Sequence, residues 1–178
     1  MVKYILTLLT TLVVLVGCSS ISVTDDYNPN VDFSKYKTFA VYKGTMEGSE
    51  LEKAPLMKQR VLEAINNDMI KKGLTQTDTT DADLLIYAQA GTTQKMNVTD
   101  YGYGYGAWWG PYPYGRNIDV SYYTQASLII DLVDNTKHEL VWRGVGTGVV
   151  DNSGTPEERQ QRVDNAVMKI LNQYPPVE

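Results

Sequence analysis

Nucleophilic catalysis needs a base beside its hydroxyl or thiol, and this chain of 178 residues has one histidine, His138, at the end of the turn-like run "DNTKH". Ser-His-Asp and Cys-His arrangements therefore come down to one turn residue, and a conventional hydrolase is not expected. Zinc wants a set of nitrogen and sulfur ligands, which one histidine and one cysteine do not supply. The carboxylate pairs Asp25-Asp26, Asp81 with Asp83, and Glu157-Glu158 could do acid–base work. They sit in turns or at a helix start, where capping and the helix dipole already favour acidic residues. Asp26, Asn28, Asn30 and Asp32 alternate like the first positions of a calcium loop, but Val31 stands where the sharp turn needs glycine and Lys37 where the bidentate glutamate belongs. A polar turn with local backbone bonds is the plainer account. The glycines of "RGVGTGVV" fall within a predicted strand with no helix opening after them, unlike a phosphate loop. No catalytic residue, metal site or cofactor is expected.

Two further features carry chemistry of other kinds. Met1 to Lys3 is a short basic region, and Tyr4 to Val16 is an apolar run too short to span a bilayer comfortably. It ends in Leu15-Val16-Gly17-Cys18, which resembles the lipobox of bacterial lipoproteins, with Gly17 before the cleavage point and Cys18 as the acylated residue. Residues 1–17 are then a removed signal peptide and 18–21 an acylated tether. A single acyl chain holds only marginally, at about 0.8 kcal/mol per buried methylene, whereas two or three make a stable anchor. Ser19 in place of an aspartate favours the outer membrane. The second feature is "YGYGYGAWWGPYPYGR" at 101–116, in which Tyr101, Tyr103, Tyr105, Trp108, Trp109, Tyr112 and Tyr114 stand among glycines and prolines, with Arg116 at the end. Ordering each backbone costs about 1–2 kcal/mol and burying each ring returns about 2–3. Sixteen backbones against seven rings leave no surplus, so the stretch is expected either to be poorly ordered until it meets something else or to be a Gly-rich spacer folded back on its own domain.

Removal of residues 1–17 leaves 161 residues, which fits one domain with a real core. Without Lys3 there are 15 basic and 21 acidic side chains, a net charge of about −6, and no basic run. Nucleic acid is therefore not an expected partner. With no second cysteine, packing must stabilise the fold.

Ser22–Tyr27 and Lys37–Lys43 read as short strands joined by "DYNPNVDFSKY", and are expected to pair as neighbours. Pro55 begins a helix in which Met57, Val61, Ile65 and Met69 recur every four residues, flanked by Leu62 and Ile70, until Gly73. "ADLLIYAQAGT" reads as a third strand. Val120–Val133 and Glu139–Val150 form the clearest hairpin. Its expected register puts Leu128, Ile130, Leu132, Leu140 and Trp142 on the core face and Arg143 opposite or diagonal to Asp131 on the other. Gly144, Gly146 and Gly148 then let a helix approach closely. Ile129, Val133, Val141, Val145 and Val149 fall on the outer face, either as strand formers or as a partner surface. Thr155 with Glu158 resembles a capping box before Pro156, and Val163, Ala166, Val167, Ile170, Leu171 and Tyr174 trace an apolar stripe that Pro175 and Pro176 end. The order β-β-α-β-β-β-α predicts an α+β fold: a mainly antiparallel sheet over 22–175 with two helices packed on one face.

"DYNPNVDFSKYKTFAVY", "ADLLIYAQA" and "ASLIIDLVDNTKHELVWRGVG" resemble the three signature blocks of the bacterial lipoprotein family known as domain of unknown function four-one-three-six. The likeness covers about residues 22 to 175; its most specific parts are Asp32 to Thr38 and Leu140 to Gly144. It implies a periplasm-facing lipoprotein and brings no catalytic residues. The expectation is thus a non-enzymatic binding or scaffold module, held to the membrane through lipidated Cys18, with an envelope protein or cell-wall polymer as partner and the aromatic stretch as contact site. The alternative is a membrane-surface module whose Tyr and Trp rings rest among head groups; an enzyme is the least expected reading.

Overall fold

A computed structural model describes residues 21–100, 118–149 and 151–176. Cys18 and the aromatic stretch lie outside these. Six strands, β1 (Ser22–Tyr27), β2 (Thr38–Val41), β3 (Thr75–Gln76), β4 (Leu84–Asp100), β5 (Ile118–Asp134) and β6 (Glu139–Val149), alternate with the helices α1 (Pro55–Lys71) and α2 (Pro156–Leu171). They form one sheet in the order β1-β6-β5-β4-β2-β3.

The α+β class holds, but the sheet is mixed rather than mainly antiparallel. Strands β1, β6, β5 and β4 pair antiparallel, whereas β2 runs parallel to both β4 and β3. The cause is α1. A helix laid across the sheet face between two strands returns the chain to the end from which it started, so the strands it joins run the same way.

The expected pairing of the first two strands also fails. β1 lies at one edge beside β6, and β2 lies four strand positions away, roughly 19 Å at the usual spacing. The segment between them is therefore a crossing rather than a hairpin turn. Phe33 anchors it, with its ring edge-on to Tyr27, Tyr36 and Tyr174 at 6.1, 6.3 and 5.8 Å. Trp142, fully buried, meets Tyr174 at 5.7 Å and extends this aromatic cluster into the core.

Both helices bury their stripes in one core. Val61, Ile65 and Met69 of α1 and Val163, Val167, Ile170 and Leu171 of α2 join Phe39, Leu84, Ile86, Ile130, Leu132 and Trp142. Full burial of each large side chain contributes about 1.5–3 kcal/mol. Ile70, beside the α1 stripe, is exposed instead. Helix α1 stops where Gly73 takes φ +90°, and the Leu74 N–H donates back to Met69 O at 3.2 Å, a glycine C-cap. The capping box of α2 is present: Thr155 Oγ1 accepts from Glu158 N–H and the Glu158 carboxylate accepts from Thr155 N–H.

In the β5–β6 hairpin, Asp131 faces Arg143 and Leu132 faces Trp142 as expected, but the register then shifts so that Val133 faces Leu140. The extra residue, Val141, turns into the core at 1% exposure, and Leu140 leaves the core face at 45%. A one-residue bulge reverses the side assigned to each residue beyond it. Of the expected outer-face apolar row, Val141 is thus lost, Ile129, Val133 and Val145 are half-buried, and Val149 is exposed.

Candidate functional site

Strand β4 runs well past "ADLLIYAQAGT", the stretch the sequence marks as a strand, whereas β5 lies close to its expected bounds of Val120–Val133. They pair residue for residue from Leu84↔Asp134 to Asp100↔Ile118. The neighbours stop earlier: β2 leaves β4 after Ile86, and β6 leaves β5 after Gln125. The seven pairs from Gln94↔Thr124 outward therefore form a two-stranded arm that reaches about 20 Å past the sheet. Residues 101–117, with the aromatic stretch, connect the arm's far end.

The chemistry-bearing residues do not converge. His138 closes the β5–β6 turn with φ +58° and is exposed. The calcium-like run is spread over a strand, a turn and a 3-10 segment, and its side chains serve their own backbone: Asp26 accepts from Tyr27 N–H, Asn28 from Asn30 N–H, and Asp32 from Ser34 N–H and its hydroxyl. No group of three or more His, Cys, Asp or Glu among the described residues is placed to hold a metal ion. "RGVGTGVV" begins inside β6, away from any helix start. Asp25 and Asp26 lie exposed on β1, and Glu157 and Glu158 in the first turn of α2.

Several of the most distinctive motif residues hold strands together. Asp83 Oδ2 accepts from the N–H groups of Lys37 and Thr38 at 2.8 and 2.9 Å, while Thr38 Oγ1 accepts from Asp83 N–H at 2.9 Å. The Lys37 amide first of all holds the Asp83 carboxyl below its ordinary value, with burial opposing. Tyr36 donates its hydroxyl to Asp134 Oδ2 at 3.0 Å, and the Thr136 and Lys137 amides donate to Oδ1. Burial alone would raise the Asp134 pKa, but these donors win and lower it. On the outer sheet face a cross-strand row runs Tyr87, Asp131, Arg143, Asp26, and the ring of Tyr42 leans on Tyr87 at 5.0 Å.

Sequence reasoning missed a cleft at the end of the core. Near the N-terminus of α2 the helix and sheet separate over small residues, Ala126, Gly146, Gly148 and Ala166, and leave a space of about 480 Å³. Ile21, Met57, Leu128, Val163 and Ile170 complete an apolar lining, and Asp151, Asn152, Arg159 and Arg162 supply its polar groups. The size suits one small organic ligand. Arg162 Nη2 donates to the carbonyls of Ser153 and Asp151, and Arg159 Nη2 to that of Gly154 at 3.1 Å. The Nε–H of Arg159 is buried and meets no acceptor among the described residues. Ser153 first of all, then Arg162 and Arg159, lower the Asp151 pKa. The sequence did hold a signal, since small residues at 126, 146, 148 and 166 all fall on predicted core faces. The close helix approach expected at Gly144, Gly146 and Gly148 holds at the first two but not at Gly148. A Cβ at Gly146 would lie 2.6 Å from Ile170, and one at Gly148 only in ordinary contact with Ile21, at 3.4 Å.

Fold and site together define a small α+β module with a projecting arm and an apolar cleft. The chain belongs to the DUF4136 family, a domain of unknown function, whose model matches residues 23–176. No curated protein matches the sequence. Among solved structures it is similar to a PDZ domain protein from Parabacteroides distasonis, with TM-score 0.56 and 17% identity over 89% of this chain and 36% of that one. The chain spans little more than a third of that protein, and the likeness is one of fold. It is also similar to PelC from Paraburkholderia phytofirmans, a dodecamer, at 13% identity and TM-score 0.46 over 85% of this chain and 95% of that one. No helix among the described residues is long and apolar enough to cross a membrane.

Proposed function

We propose that the protein is a lipid-anchored binding or scaffold module of the bacterial envelope rather than an enzyme, and that it engages its partner through the β4–β5 arm. One observation carries the reading. The arm continues for seven residue pairs beyond the body of the sheet, so two stretches of paired backbone stand clear of it, and the aromatic residues follow β4 directly in the sequence. The edges of the arm's strands have no strand partner among the described residues, which suits them to a second surface. The lipobox-like run before Cys18 supplies the anchor, and Ser19 fits the outer membrane with the module facing the periplasm.

A photoreactive residue in place of Trp109, irradiated in intact cells, tests this. A discrete protein or cell-wall adduct is the expected outcome, lost when Cys18→Ala removes the anchor. Adducts confined to phospholipid would put the rings among the head groups instead, and the absence of any adduct would overturn the reading.

A further inference from the structure

The α2–sheet cleft has a use that the arm does not touch. Its floor is apolar, from Leu128, Gly148 and Ile170, and one side is closed by Val163 and Ala166. Two guanidinium groups, Arg159 and Arg162, stand in the lining against a single carboxylate, Asp151. In a chain of net charge −5, this local excess of positive charge is against the trend. Both arginines already donate to backbone carbonyls, so their planes are fixed. A neutral apolar ligand would fill the floor and leave the two guanidinium groups without an anion; a phosphodiester with two acyl chains needs more room than one 480 Å³ cleft offers. An extended chain ending in a carboxylate satisfies both halves.

We propose that this cleft binds one long-chain carboxylate, its hydrocarbon chain on Leu128, Gly148, Val163 and Ala166 and its carboxylate on Arg159 and Arg162. Guanidinium recognises carboxylate through paired, charge-assisted hydrogen bonds. Ile21 belongs to the lining and lies three residues from Cys18, within about 10 Å along the chain, so a bilayer is a ready source of such a ligand. This supply route rests on the proposed anchor, whereas the site itself does not.

The test uses the full chain reconstituted in phosphatidylcholine vesicles with a palmitate that carries a diazirine at the end of its chain. Irradiation and peptide mapping are expected to place adducts on the α2 segment 159–170 and on β6. Ala166→Phe, which fills the cleft, should reduce labelling about tenfold or more, and Gly148→Val provides a second filling variant should the first fail to fold. Arg159→Gln with Arg162→Gln should weaken palmitate labelling about tenfold and leave labelling by the matching fatty alcohol unchanged, since lost charge-assisted bonds act on the acid alone. Adducts scattered over the surface, labelling unchanged in both filling variants, equal labelling of the native chain by acid and alcohol, or preference for a photoreactive lysophosphatidylglycerol would each overturn the proposal. Loss of labelling in Cys18→Ala, with labelling retained when palmitate is supplied in solution, would locate the failure in the supply route.

Discussion

Arg143 reaches across from β6 to hold Asp131 of β5 at both oxygens, with Nε donating to Oδ1 at 2.6 Å and Nη2 to Oδ2 at 2.7 Å. Asp131 is 6% exposed, while the arginine side chain is 46% exposed. The pair therefore sits at the boundary between core and solvent on the sheet face opposite the helices. Hydrogen bonding to Asp131 raises the Arg143 pKa, so the guanidinium keeps its charge as pH rises.

Removal of the cation alone is the damaging change. Arg143→Met leaves a buried carboxylate without its two donors and should cost about 1–3 kcal/mol in urea unfolding. Arg143→Met together with Asp131→Leu should cost less than the single change, because nothing charged is then left behind. Equal losses in the two variants would show that the pair contributes through packing rather than charge.

The three β6 glycines should differ in a set order. A Cβ at Gly144 would press on the rigid indole of Trp142 and lie 2.6 Å from Ile170; one at Gly146 meets the movable end of Ile170 at 2.6 Å; one at Gly148 is in ordinary contact with Ile21 at 3.4 Å. Gly144→Ala should thus lose about 1–3 kcal/mol by overpacking, Gly146→Ala less, and Gly148→Ala little or nothing. Thermal melts of the three variants decide this, and a Gly148→Ala loss as large as that of Gly144→Ala would show that the cleft is not open space.

Acid should loosen the strand ends first. The folded pKa values of Asp83 and Asp134 lie below their ordinary value. Their contribution is therefore complete above the unfolded aspartate value, about 3.9, and is lost as pH falls through the lower folded values. The urea midpoint should be flat near neutral pH and fall below about pH 4. Asp83→Asn with Asp134→Asn should lower the neutral midpoint and flatten the acid limb. Tyr36 acts at the other end: burial and the bond to Asp134 raise its pKa, so stability should fall once the unfolded phenol ionises above about pH 10. An acid limb unchanged in the double variant would assign it to other carboxylates.

Both helices were legible because their causes are local. Pro55 and Gly73 bound α1, Thr155 and Glu158 cap α2, and each apolar stripe is written at intervals of three and four residues. The facing of Asp131 and Arg143 was legible too, since hairpin alternation fixes which residues share a side. The bulge at Val141 was not, because an inserted residue costs little locally and is chosen by whether Val141 or Leu140 fits the core better. The arm escaped notice for a related reason: "GTTQKMNVTD" is mostly polar, so it lacks the period-two apolar signal by which strands are recognised.

By itself, then, the sequence determined the class of fold, the two amphipathic helices, the hairpin and the family, because each depends on residues near one another or on composition. Only the tertiary structure decided that β2 runs parallel to β4, that β1 lies at the far edge, that an arm stands clear of the sheet, and that two arginines of α2 line an apolar cleft beside Ile21. Those outcomes turn on how the chain crosses a sheet several strands wide, and contacts between residues far apart in the sequence leave no periodicity to read.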